Sequence, residues 1–449
     1  MKTIEIIEAA RLVELGGKMT HGERMRLQRE RLSSIVEYGR KNSPYLSKLY
    51  ENLPEDYQLS DLPIMERPEL VQNYEDWVTD RGISLSAVED YGEHGEQDGG
   101  LFLGQYTVLH TSGTTGKPLY MVRDAHRNRI HGQLVAQRLL KGTAPDIMDH
   151  RKHKIAAVIR VLQGSSSYGS FLRMKASVPG KEDNIIAIDV LEDTEIIVEK
   201  LNAFQPEMLS GYSSVLVMLA LEKEKGNLDI PVKLIANSAE ALSPENHRLV
   251  EEAFGCPVKN NYCMTEGGEI AMTQDGPEML LNEDFIIIEP VDENRKPVCN
   301  PDQWSEGVLV TDLTNYVQPI IRYYVNDSVK LEQIPDDQVR LPVLQVQGRA
   351  SVFFELCGKV YSTLWLGIIV EDIYGVVVPQ FIQVADDEIQ VRGITAKDVD
   401  KEETLEALRL AVEGYFHEHG CPEAKVSYNI DPPMKKKQGG KMPQYMDLR

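Results

Sequence analysis

The chain has 449 residues, and its 48 Lys and Arg against 70 Asp and Glu give a formal net charge of −22. Apolar residues make up 42% and charged residues 26%, an ordinary globular composition that excludes a disordered chain. The acidity argues against a general nucleic-acid binder, which needs a basic face. It leaves room for a local basic pocket that binds a small anion.

No segment predicts a membrane span or a disulfide framework. The most apolar stretch, Leu364–Val378, is interrupted by Glu371 and Asp372, whereas a span needs about 20 mostly apolar residues. The N-terminus alternates acidic with apolar residues and has the pattern of neither a secretory signal nor a transit peptide. The five cysteines are odd in number and widely spaced and contain no CxxC pair, which indicates neither a disulfide framework nor a zinc ribbon. We therefore expect a reducing cytoplasm.

In chain order, residues 1–80 predict a helical opening, with a capping box at Thr20 and Glu23 and a helix stop at Asn42-Ser43-Pro44. Residues 105–330 then alternate strands with helices, which predicts a largely parallel α/β sheet whose ligand site lies beyond the carboxyl ends of its strands. The predicted strands and helices of this part are Ile155–Val161, Ile185–Val190, Asp193–Phe204, Tyr212–Lys225 and Lys233–Ala236.

From Asn282 onward, strands occur with few long helices, which predicts a small, mostly antiparallel unit. After Gly348-Arg349, new strands, a helix over Lys401–Glu418 and a last strand near Lys425–Ile430 indicate a separate α+β domain. The predicted fold is α/β: a large N-terminal domain of stacked α/β sheets with a small β-rich unit (1–348), then a small C-terminal domain (349–449).

Several segments contain residues suited to nucleotide chemistry. Thr111–Pro118 combines two glycines, hydroxyls and Lys117 as a phosphate cradle, although it is not a Walker A loop and a plain hairpin turn is the alternative. Ser238-Ala239-Glu240 follows a strand and is either a ligand contact or a helix cap. Tyr262–Gly268 offers a ring, a hydroxyl and a carboxylate, or is a solvated turn.

The remaining candidates lie near the C-terminal end. Asp312 ends an apolar strand and is a candidate for binding ribose hydroxyls, or else a surface turn acid. The segment Arg322–Asp327 follows it, and Gly348-Arg349 marks the break between the two predicted domains. In the basic tail Lys435–Lys441, a lysine on a glycine hinge can reach a phosphate, or the tail is simply solvated.

In their order and spacing these segments resemble the adenylate-forming superfamily of acyl-CoA ligases over nearly the whole chain. More narrowly, they resemble phenylacetate–CoA ligase and its coenzyme F390 synthetase-like and CapK-like relatives. The resemblance implies that a carboxylate attacks the α-phosphate of ATP, after which the acyl group passes to a thiol, usually that of coenzyme A. It also implies that the C-terminal domain is a mobile lid that rotates between the two steps.

The resemblance also implies roles for individual residues. The implied catalytic residues are Lys441, which bridges carboxyl and phosphate oxygens, Thr265 at the α-phosphate, and Lys117 at the outer phosphates; Glu266 is implied to hold Mg²⁺. The implied ATP-binding residues, with Tyr262 against adenine and Asp327 on the ribose, are Ser112, Gly113, Thr114, Thr115, Gly116, Ser238, Ala239, Glu240, Tyr262, Asp327 and Arg349.

The chain departs from the family pattern after Arg349. Ala350, Ser351 and Val352 stand where the family has acids, one of which serves as the hinge, so the rotation or the thioester step is predicted to differ. Met442 follows Lys441 where an arginine is usual. No Cys/His set matches the zinc cluster of some relatives, and we predict no zinc.

The leading hypothesis is an AMP-forming carboxylate ligase that uses ATP, Mg²⁺ and coenzyme A, with an aryl acid as the first guess for the substrate. We expect no nucleic-acid partner; a homodimer and a carrier protein are compatible with the resemblance. Transfer to an amine, a hydroxyl or a carrier thiol, and a degenerate nucleotide-binding protein, stay open. The acceptor pocket is expected at Gly164, Tyr168, Gly211, Tyr212 and Ser213.

Overall fold

A computed structural model describes most of the chain. The described residues are 4–94, 100–111, 118–141, 143, 151–163, 165–176, 179–242, 244–346, 353–362, 366, 369–370, 373, 376–395, 399–430 and 445–449. Two compact units are present: Met1–His110 with Tyr120–Asp189 and Val198–Gly348, and Arg349–Arg449 with Thr111–Leu119 and Val190–Ile197. Because the second unit includes two short segments from earlier in the chain, the division into domains at residue 348 stays a prediction.

Helices form the opening of the first unit, as predicted. They are α1 (Ile6–Lys18), α2 (His21–Asn42), α3 (Pro44–Leu49), α4 (Arg67–Gln72), α5 (Tyr74–Trp77) and α6 (Leu85–His94). The predicted capping box begins α2: the Thr20 hydroxyl accepts the Glu23 N–H at 3.3 Å, and the Glu23 carboxylate accepts the Thr20 N–H at 2.8 Å. No helix in the described part of the chain is long and apolar enough to cross a bilayer.

The central sheet confirms the predicted alternation of strands with helices. After the hairpin of β1 (Thr107–His110) and β2 (Tyr120–Arg123), the sheet strands are β3 (Ile155–Ile159), β4 (Ile185–Asp189), β5 (Met208–Gly211), β6 (Leu234–Ser238), β7 (Val258–Met264), β8 (Gly268–Thr273) and β9 (Met279–Leu281). Their order is β4-β3-β5-β6-β7-β8-β9, parallel through β7 and antiparallel beyond it. The helices here are α7 (Ala125–Leu134), α8 (Ser166–Ala176), α9 (Thr194–Phe204), α10 (Ser213–Glu224) and α11 (Pro244–Phe254).

The predicted antiparallel unit follows the central sheet. Its strands are β10 (Ile286–Val291), β11 (Gly307–Asp312), β12 (Tyr323–Val325), β13 (Val329–Leu331) and β14 (Leu344–Val346). Strands β10, β11 and β12 form one sheet, and β13 pairs with β14. Apolar side chains of α1, α7, β8, β10 and β11 meet in one buried cluster that includes Val13, Leu134, Ile270, Ile288 and Val310. This cluster joins the antiparallel strands to the edge of the central sheet.

The second unit contains the predicted α+β region. Its elements are β15 (Phe353–Leu356), β16 (Lys359–Ser362), β17 (Val376–Ala385), β18 (Glu388–Thr395), α12 (Lys401–Glu418), β19 (Lys425–Ile430) and β20 (Tyr445–Asp447). The larger sheet has the order β19-β18-β17-β20. Strands β18 and β19 are parallel, so the chain must cross over between them, and α12 makes this connection.

A disulfide joins Cys357, in the turn between β15 and β16, to Cys421, after α12. The sequence had indicated no disulfide framework, and this one disulfide was not predicted. The two cysteines are 64 residues apart in sequence, and their Cα atoms lie 5.9 Å apart, a usual separation for a disulfide. The spacing gave no signal because only the packing of α12 brings these two turns together.

Arg24 provides a test of how the helical opening is fixed. It is fully buried and donates to the Glu283 carboxylate at 2.5 Å and to the Arg340 carbonyl at 2.7 Å. Arg24→Met removes the arginine partner of the buried Glu283 carboxylate, which keeps a contact with His21 at 3.0 Å, so the free energy of unfolding should fall by about 3 kcal/mol. Urea denaturation measures this change.

The matched control is Lys18→Met, which breaks an exposed pair with Glu14 in the neighbouring helix. It should leave the free energy of unfolding nearly unchanged. Equal losses in the two variants would show that the Arg24 contacts do not hold this region.

Candidate functional site

Strands β3, β5, β6 and β7 are parallel neighbours, so their carboxyl ends lie at one edge of the central sheet. The first residues after β5 are Tyr212 and Ser213, and β7 is followed by Thr265 and Glu266. Strand β6 ends at Ser238, with Ala239 and Glu240 directly after it. This edge is where open α/β sheets bind ligands.

Part of the predicted site lies outside the described residues. This part comprises Ser112, Gly113, Thr114, Thr115, Gly116, Lys117, Gly164, Arg349 and Lys441. Their roles in binding phosphate, ribose, substrate and the adenylate stay predictions.

A hydrogen bond joins Tyr262, on β7, to Asp327, in the turn after β12. The Tyr262 hydroxyl donates to Oδ2 of Asp327 at 2.7 Å. Burial, followed by the Asp327 charge, raises the pKa of Tyr262 well above its ordinary value, so the hydroxyl stays protonated. The residues predicted for the adenine ring and the ribose are therefore in direct contact, although 65 residues separate them in sequence.

Glu266 forms a second pair of this kind, with Tyr323 on β12. The Tyr323 hydroxyl donates to Oε1 of Glu266 at 3.1 Å. Burial raises the pKa of Glu266 above its ordinary value, because a buried carboxylate loses its hydration. A cation beside this carboxylate would restore the balance of charge, so Glu266 is suited to hold a hard divalent ion.

Thr265 lies between these two pairs and faces α8. Its hydroxyl is 2.7 Å from that of Ser166, the first residue of α8. Strand β3 leads to α8 and β7 leads to Thr265, so parallel strand ends bring these hydroxyls together. Two adjacent hydroxyls at a sheet edge provide donors for a phosphate oxygen.

Hydrogen bonds from the end of β6 fix the conformation of the turn that follows it. Ala239 has a φ of +67°, in the left-handed region that residues with side chains rarely adopt. The buried Asn237 amide donates to the Glu240 carbonyl at 2.8 Å and to Oδ1 of Asn260 at 2.7 Å. These bonds fix the segment predicted to line the adenine pocket.

The described residues of the predicted acceptor pocket differ in burial. Tyr212 and Ser213 are only 6% and 2% exposed, and the Tyr212 hydroxyl accepts the Arg160 N–H at 3.1 Å. A Cβ at Gly211 would lie 3.0 Å from a side chain of α10, so this position is closely packed. Tyr168, on α8, is partly exposed. Of these four residues, only Tyr168 is not buried, and their role as an acceptor pocket stays a prediction.

A cluster of buried charges lies behind β8. Arg127 donates through Nε to Asp312 at 2.7 Å, and His131 Nδ1 lies 2.5 Å from Oε2 of Glu269. The Asp312 side chain is fully buried, and it also accepts the Thr314 hydroxyl at 2.5 Å. The sequence predicted Asp312 as a candidate for binding ribose hydroxyls, but its carboxylate is buried and hydrogen-bonded within this cluster. Asp327, in contrast, lies beside Tyr262.

Three residues near the site were not among the predicted site residues. Ser166 has a weak sequence signal, a run of serines after a buried strand. Tyr323 lies within the Arg322–Asp327 segment, but nothing in its spacing indicates contact with Glu266. Arg123 ends the buried strand β2 and donates to the Thr265 carbonyl. A basic residue ending a fully buried strand is the signal that could have identified it.

Comparisons with known proteins give relatives in both sequence and structure. No family model matches the chain. Protein CapK of Staphylococcus aureus is 27% identical over 234 residues, 50% of this chain and 50% of that protein, so the chain spans about half of this curated relative. The structure of 2-hydroxyisobutyryl-CoA ligase with 2-HIB-AMP and CoA in the thioesterification state has a TM-score of 0.58 and 18% identity, covering 96% of this chain and 91% of that chain. The same ligase in its postadenylation state has a TM-score of 0.55 and 17% identity, with the same coverage.

The chain has the fold of 2-hydroxyisobutyryl-CoA ligase. This similarity covers nearly all of both chains, which confirms the α/β architecture predicted from the sequence. In this fold, the described residues of the predicted nucleotide site lie at the carboxyl ends of the sheet strands and in the segment after β12. The structural similarity establishes the fold of this chain, whereas a sequence identity of 17–18% does not establish its reaction. The reaction is therefore inferred from the residues of the site.

The Glu269 carboxylate makes the stability of this region depend on pH. Burial acts to raise its pKa, but His131 and then Arg127 and Arg123 outweigh burial and lower the pKa to about 2. The unfolded chain binds this proton near the ordinary value of 4.5, so the stabilisation is complete above that pH and is lost as the pH falls toward about 2.

Glu269→Gln should therefore flatten the acid limb of the stability curve. Between about pH 5 and pH 3, its unfolding free energy should change by up to about 1.4 kcal/mol less per pH unit than that of the wild type. Urea titrations at several pH values measure the slopes, with Glu30→Gln on the exposed face of α2 as control. Parallel curves for Glu269→Gln and the wild type would exclude this role.

Proposed function

We propose that this protein activates a carboxylic acid as an acyl adenylate in an ATP-dependent, AMP-forming reaction, and then transfers the acyl group to the thiol of coenzyme A. The observation that carries the proposal is the contact of Tyr262 with Asp327 beside the Thr265–Ser166 hydroxyl pair, at the edge of the sheet where this fold class binds ligands. A phenylacetate–CoA ligase-like branch and an aryl acid belong to the same proposal.

In this proposal the nucleoside binds between the β6 turn and the turn after β12. Tyr262 packs against adenine, and Asp327 accepts the ribose hydroxyls. Only Oδ2 of Asp327 is engaged by Tyr262, and a carboxylate has about four acceptor positions, so capacity for a ribose is present. The Ser238–Glu240 turn lines the base and is held in place by Asn237.

The chemical step depends on positioning and on charge. The carboxylate of the acid attacks the α-phosphorus, the bond to the leaving pyrophosphate breaks, and AMP becomes linked to the acyl oxygen. Thr265 and Ser166 supply hydroxyl donors for the α-phosphate, while Lys117 and Lys441 supply positive charge. Donors that are already in place lower the barrier because they need not reorganise during the reaction.

Magnesium is suited to the Glu266 position. Mg²⁺ favours oxygen ligands and typically uses one or two carboxylates together with substrate phosphates. Glu266 is a buried carboxylate with an elevated pKa and one phenolic donor, Tyr323. Glu266 would hold the ion, which would neutralise phosphate charge when bound.

Coenzyme A is not the one candidate for the acyl acceptor in the second step. Ala350, Ser351 and Val352 replace the expected hinge acids, which favours transfer to an amine, a hydroxyl or a carrier-protein thiol as the second candidate. A small carboxylic acid and ATP are the proposed partners, with a homodimer and a cytoplasmic location as further expectations. A degenerate nucleotide-binding protein is disfavoured because Lys117, Glu266, Asp327 and Lys441 are all retained.

Carboxylate-dependent release of pyrophosphate tests the proposal. The purified protein is incubated with ATP, Mg²⁺ and a panel of aryl, acyl and amino acids, with and without coenzyme A. Release with at least one acid, together with a thioester product, is expected. Release without a thioester would favour the second candidate, and the absence of release with every acid would exclude both enzymatic functions.

Lys441→Ala separates the two steps. Adenylation should fall by about 100-fold or more, because the lysine acts on charge that develops in that step. Thioester formation from preformed acyl adenylate should persist. Lys435→Ala, in the same tail, is the control and should retain both activities; an equal loss of both half-reactions in Lys441→Ala would contradict the assigned role.

Glu266→Gln should raise the Mg²⁺ concentration needed for half-maximal pyrophosphate release, because an amide is a weaker ligand than a carboxylate. Tyr323→Phe removes the hydrogen bond to Glu266 and should shift the Mg²⁺ requirement less. Tyr324→Phe, whose hydroxyl instead lies 3.4 Å from Asn326, is the matched control. An unchanged Mg²⁺ requirement in Glu266→Gln would remove this residue from the metal site.

A further inference from the structure

The disulfide between Cys357 and Cys421 lies in the second unit, and no step of the proposed reaction uses it. Its two ends differ in exposure: Cys421 is fully buried, whereas Cys357 is partly exposed in the turn between β15 and β16. A reagent in solution therefore reaches the Cys357 sulfur more easily than the Cys421 sulfur. Exposed disulfides are reduced more readily than enclosed ones and often have regulatory roles. In the reducing compartment expected from the sequence, disulfides are mostly of this transient kind.

An aromatic cluster holds the same elements together without the disulfide. Tyr361, on β16, is 3% exposed, and its ring packs edge-on against that of Phe416, on α12, at 5.2 Å between centroids. It also stacks on Phe354 of β15, whose ring lies 5.1 Å from that of Tyr445 on β20. Because aromatic rings bury large apolar areas, this cluster packs the strands against α12. We therefore expect the second unit to stay folded when the disulfide is reduced.

The disulfide fixes the turn that follows α12. The helix ends with Gly420 in the left-handed region, at a φ of +82°, and the Cys421 N–H donates to the Phe416 carbonyl at 2.8 Å. The other end of the disulfide is anchored as well, because the Cys357 N–H donates to the Asp386 carbonyl at 2.8 Å, in the turn between β17 and β18. The bond thus joins the end of α12 to a turn that is itself held in place.

His419 lies two residues before Cys421, so its position depends on this turn. Its ring Nε2 is 3.0 Å from the Leu191 carbonyl oxygen and 3.7 Å from Oδ1 of Asp193. Both residues belong to the segment Val190–Ile197, which is part of the second unit. The turn after α12 therefore contacts this segment through His419.

The other contacts of His419 are non-covalent. Its carbonyl accepts the Tyr361 hydroxyl at 3.1 Å, and its ring stacks on that of Tyr415 with centroids 4.1 Å apart. Contacts of this kind break and re-form whenever a turn opens locally, whereas a disulfide persists through such opening. The disulfide is thus the element that keeps the turn closed.

We propose that Cys357 and Cys421 form a reversible redox site, and that its reduction releases the turn after α12 from the segment Val190–Ile197. The thiolate of a dithiol reductant attacks the exposed Cys357 sulfur, the bond between the two cysteines breaks, and Cys421 leaves as a thiolate that takes up a proton. The second thiol of the reductant then attacks the reductant sulfur bound to Cys357, which becomes a thiol. The reductant leaves as a cyclic disulfide, so two electrons and two protons pass to the protein.

Counting thiols under denaturing conditions tests whether the site is reversible. The oxidised protein should show three reactive thiols, those of Cys256, Cys263 and Cys299, and all five after treatment with dithiothreitol. The reduced protein should keep a cooperative thermal transition, and removal of the reductant in air should restore the count of three. Five thiols before reduction, or loss of cooperative unfolding after it, would overturn the proposal.

Single variants test which sulfur reacts. In Cys421→Ser, the exposed Cys357 thiol should form a mixed disulfide with oxidised glutathione at least about 10-fold faster than Cys421 does in Cys357→Ser. Mass spectrometry of the corresponding peptides measures both rates. Cys299→Ser, which removes an exposed free thiol, is the control and should leave the rate of disulfide reduction by dithiothreitol unchanged. Equal rates at the two cysteines would contradict attack at Cys357.

Amide hydrogen exchange tests the structural consequence. Reduction should speed exchange in residues 190–197 and 416–424 by about 10-fold or more, because local opening is then no longer opposed by a covalent link. His419→Ala should show fast exchange in residues 190–197 in both redox states, while residues 416–424 keep their response to reduction. The matched control is His417→Ala, an exposed histidine of the same helix, which should behave as the wild type.

Unchanged exchange in either segment after reduction of the wild type would overturn the proposal. A response of residues 190–197 to reduction that persists in His419→Ala would also contradict it, because His419 would then not transmit the change. None of these measurements needs a substrate, so the redox site stands or fails separately from the proposed function.

Discussion

Parallel hydrogen bonding between β3, β5, β6 and β7 is the constraint on which the candidate site depends. In this register Gly211 lies opposite Asn237, and Ser238 lies opposite Asn261, so the strands end close together. Parallel strands need crossover helices, and these helices bring residues far apart in sequence to one edge. Ser166 meets Thr265 for this reason. A different strand order would disperse the hydroxyls, the tyrosine and the carboxylate.

The second requirement is a rigid turn between β7 and β8, which contains Thr265 and Glu266. Gly268 has a φ of +72°, and a Cβ there would lie 2.5 Å from Nη2 of Arg127 and from the ring of His131. Glycine is therefore required by both backbone and space. The buried pairs of Arg127 and His131 with their carboxylates thus pack directly against the turn that presents the site. The buried ion pairs of Arg127 and His131 therefore help to position the turn between β7 and β8, in addition to any contribution to stability.

Much of the architecture could be predicted from local sequence signals. The helix Lys401–Glu418 has the predicted bounds, and the strand Lys425–Ile430 lies where it was predicted. Periodicity and caps determine such elements, because they depend on neighbours within a few residues. The contacts of Tyr262 with Asp327 and of Cys357 with Cys421 depend on chain segments that meet only after folding, so spacing alone could not reveal them.

The central claim is that the edge formed by β5, β6 and β7 binds an acyl adenylate. A crystal structure with a nonhydrolysable acylsulfamoyl adenosine tests this most directly. We predict that adenine packs against Tyr262, that the ribose hydroxyls bind Asp327 and that the sulfamoyl group lies at Thr265. An analogue bound elsewhere, with the Tyr262–Asp327 hydrogen bond and the Thr265–Ser166 contact untouched, would contradict it.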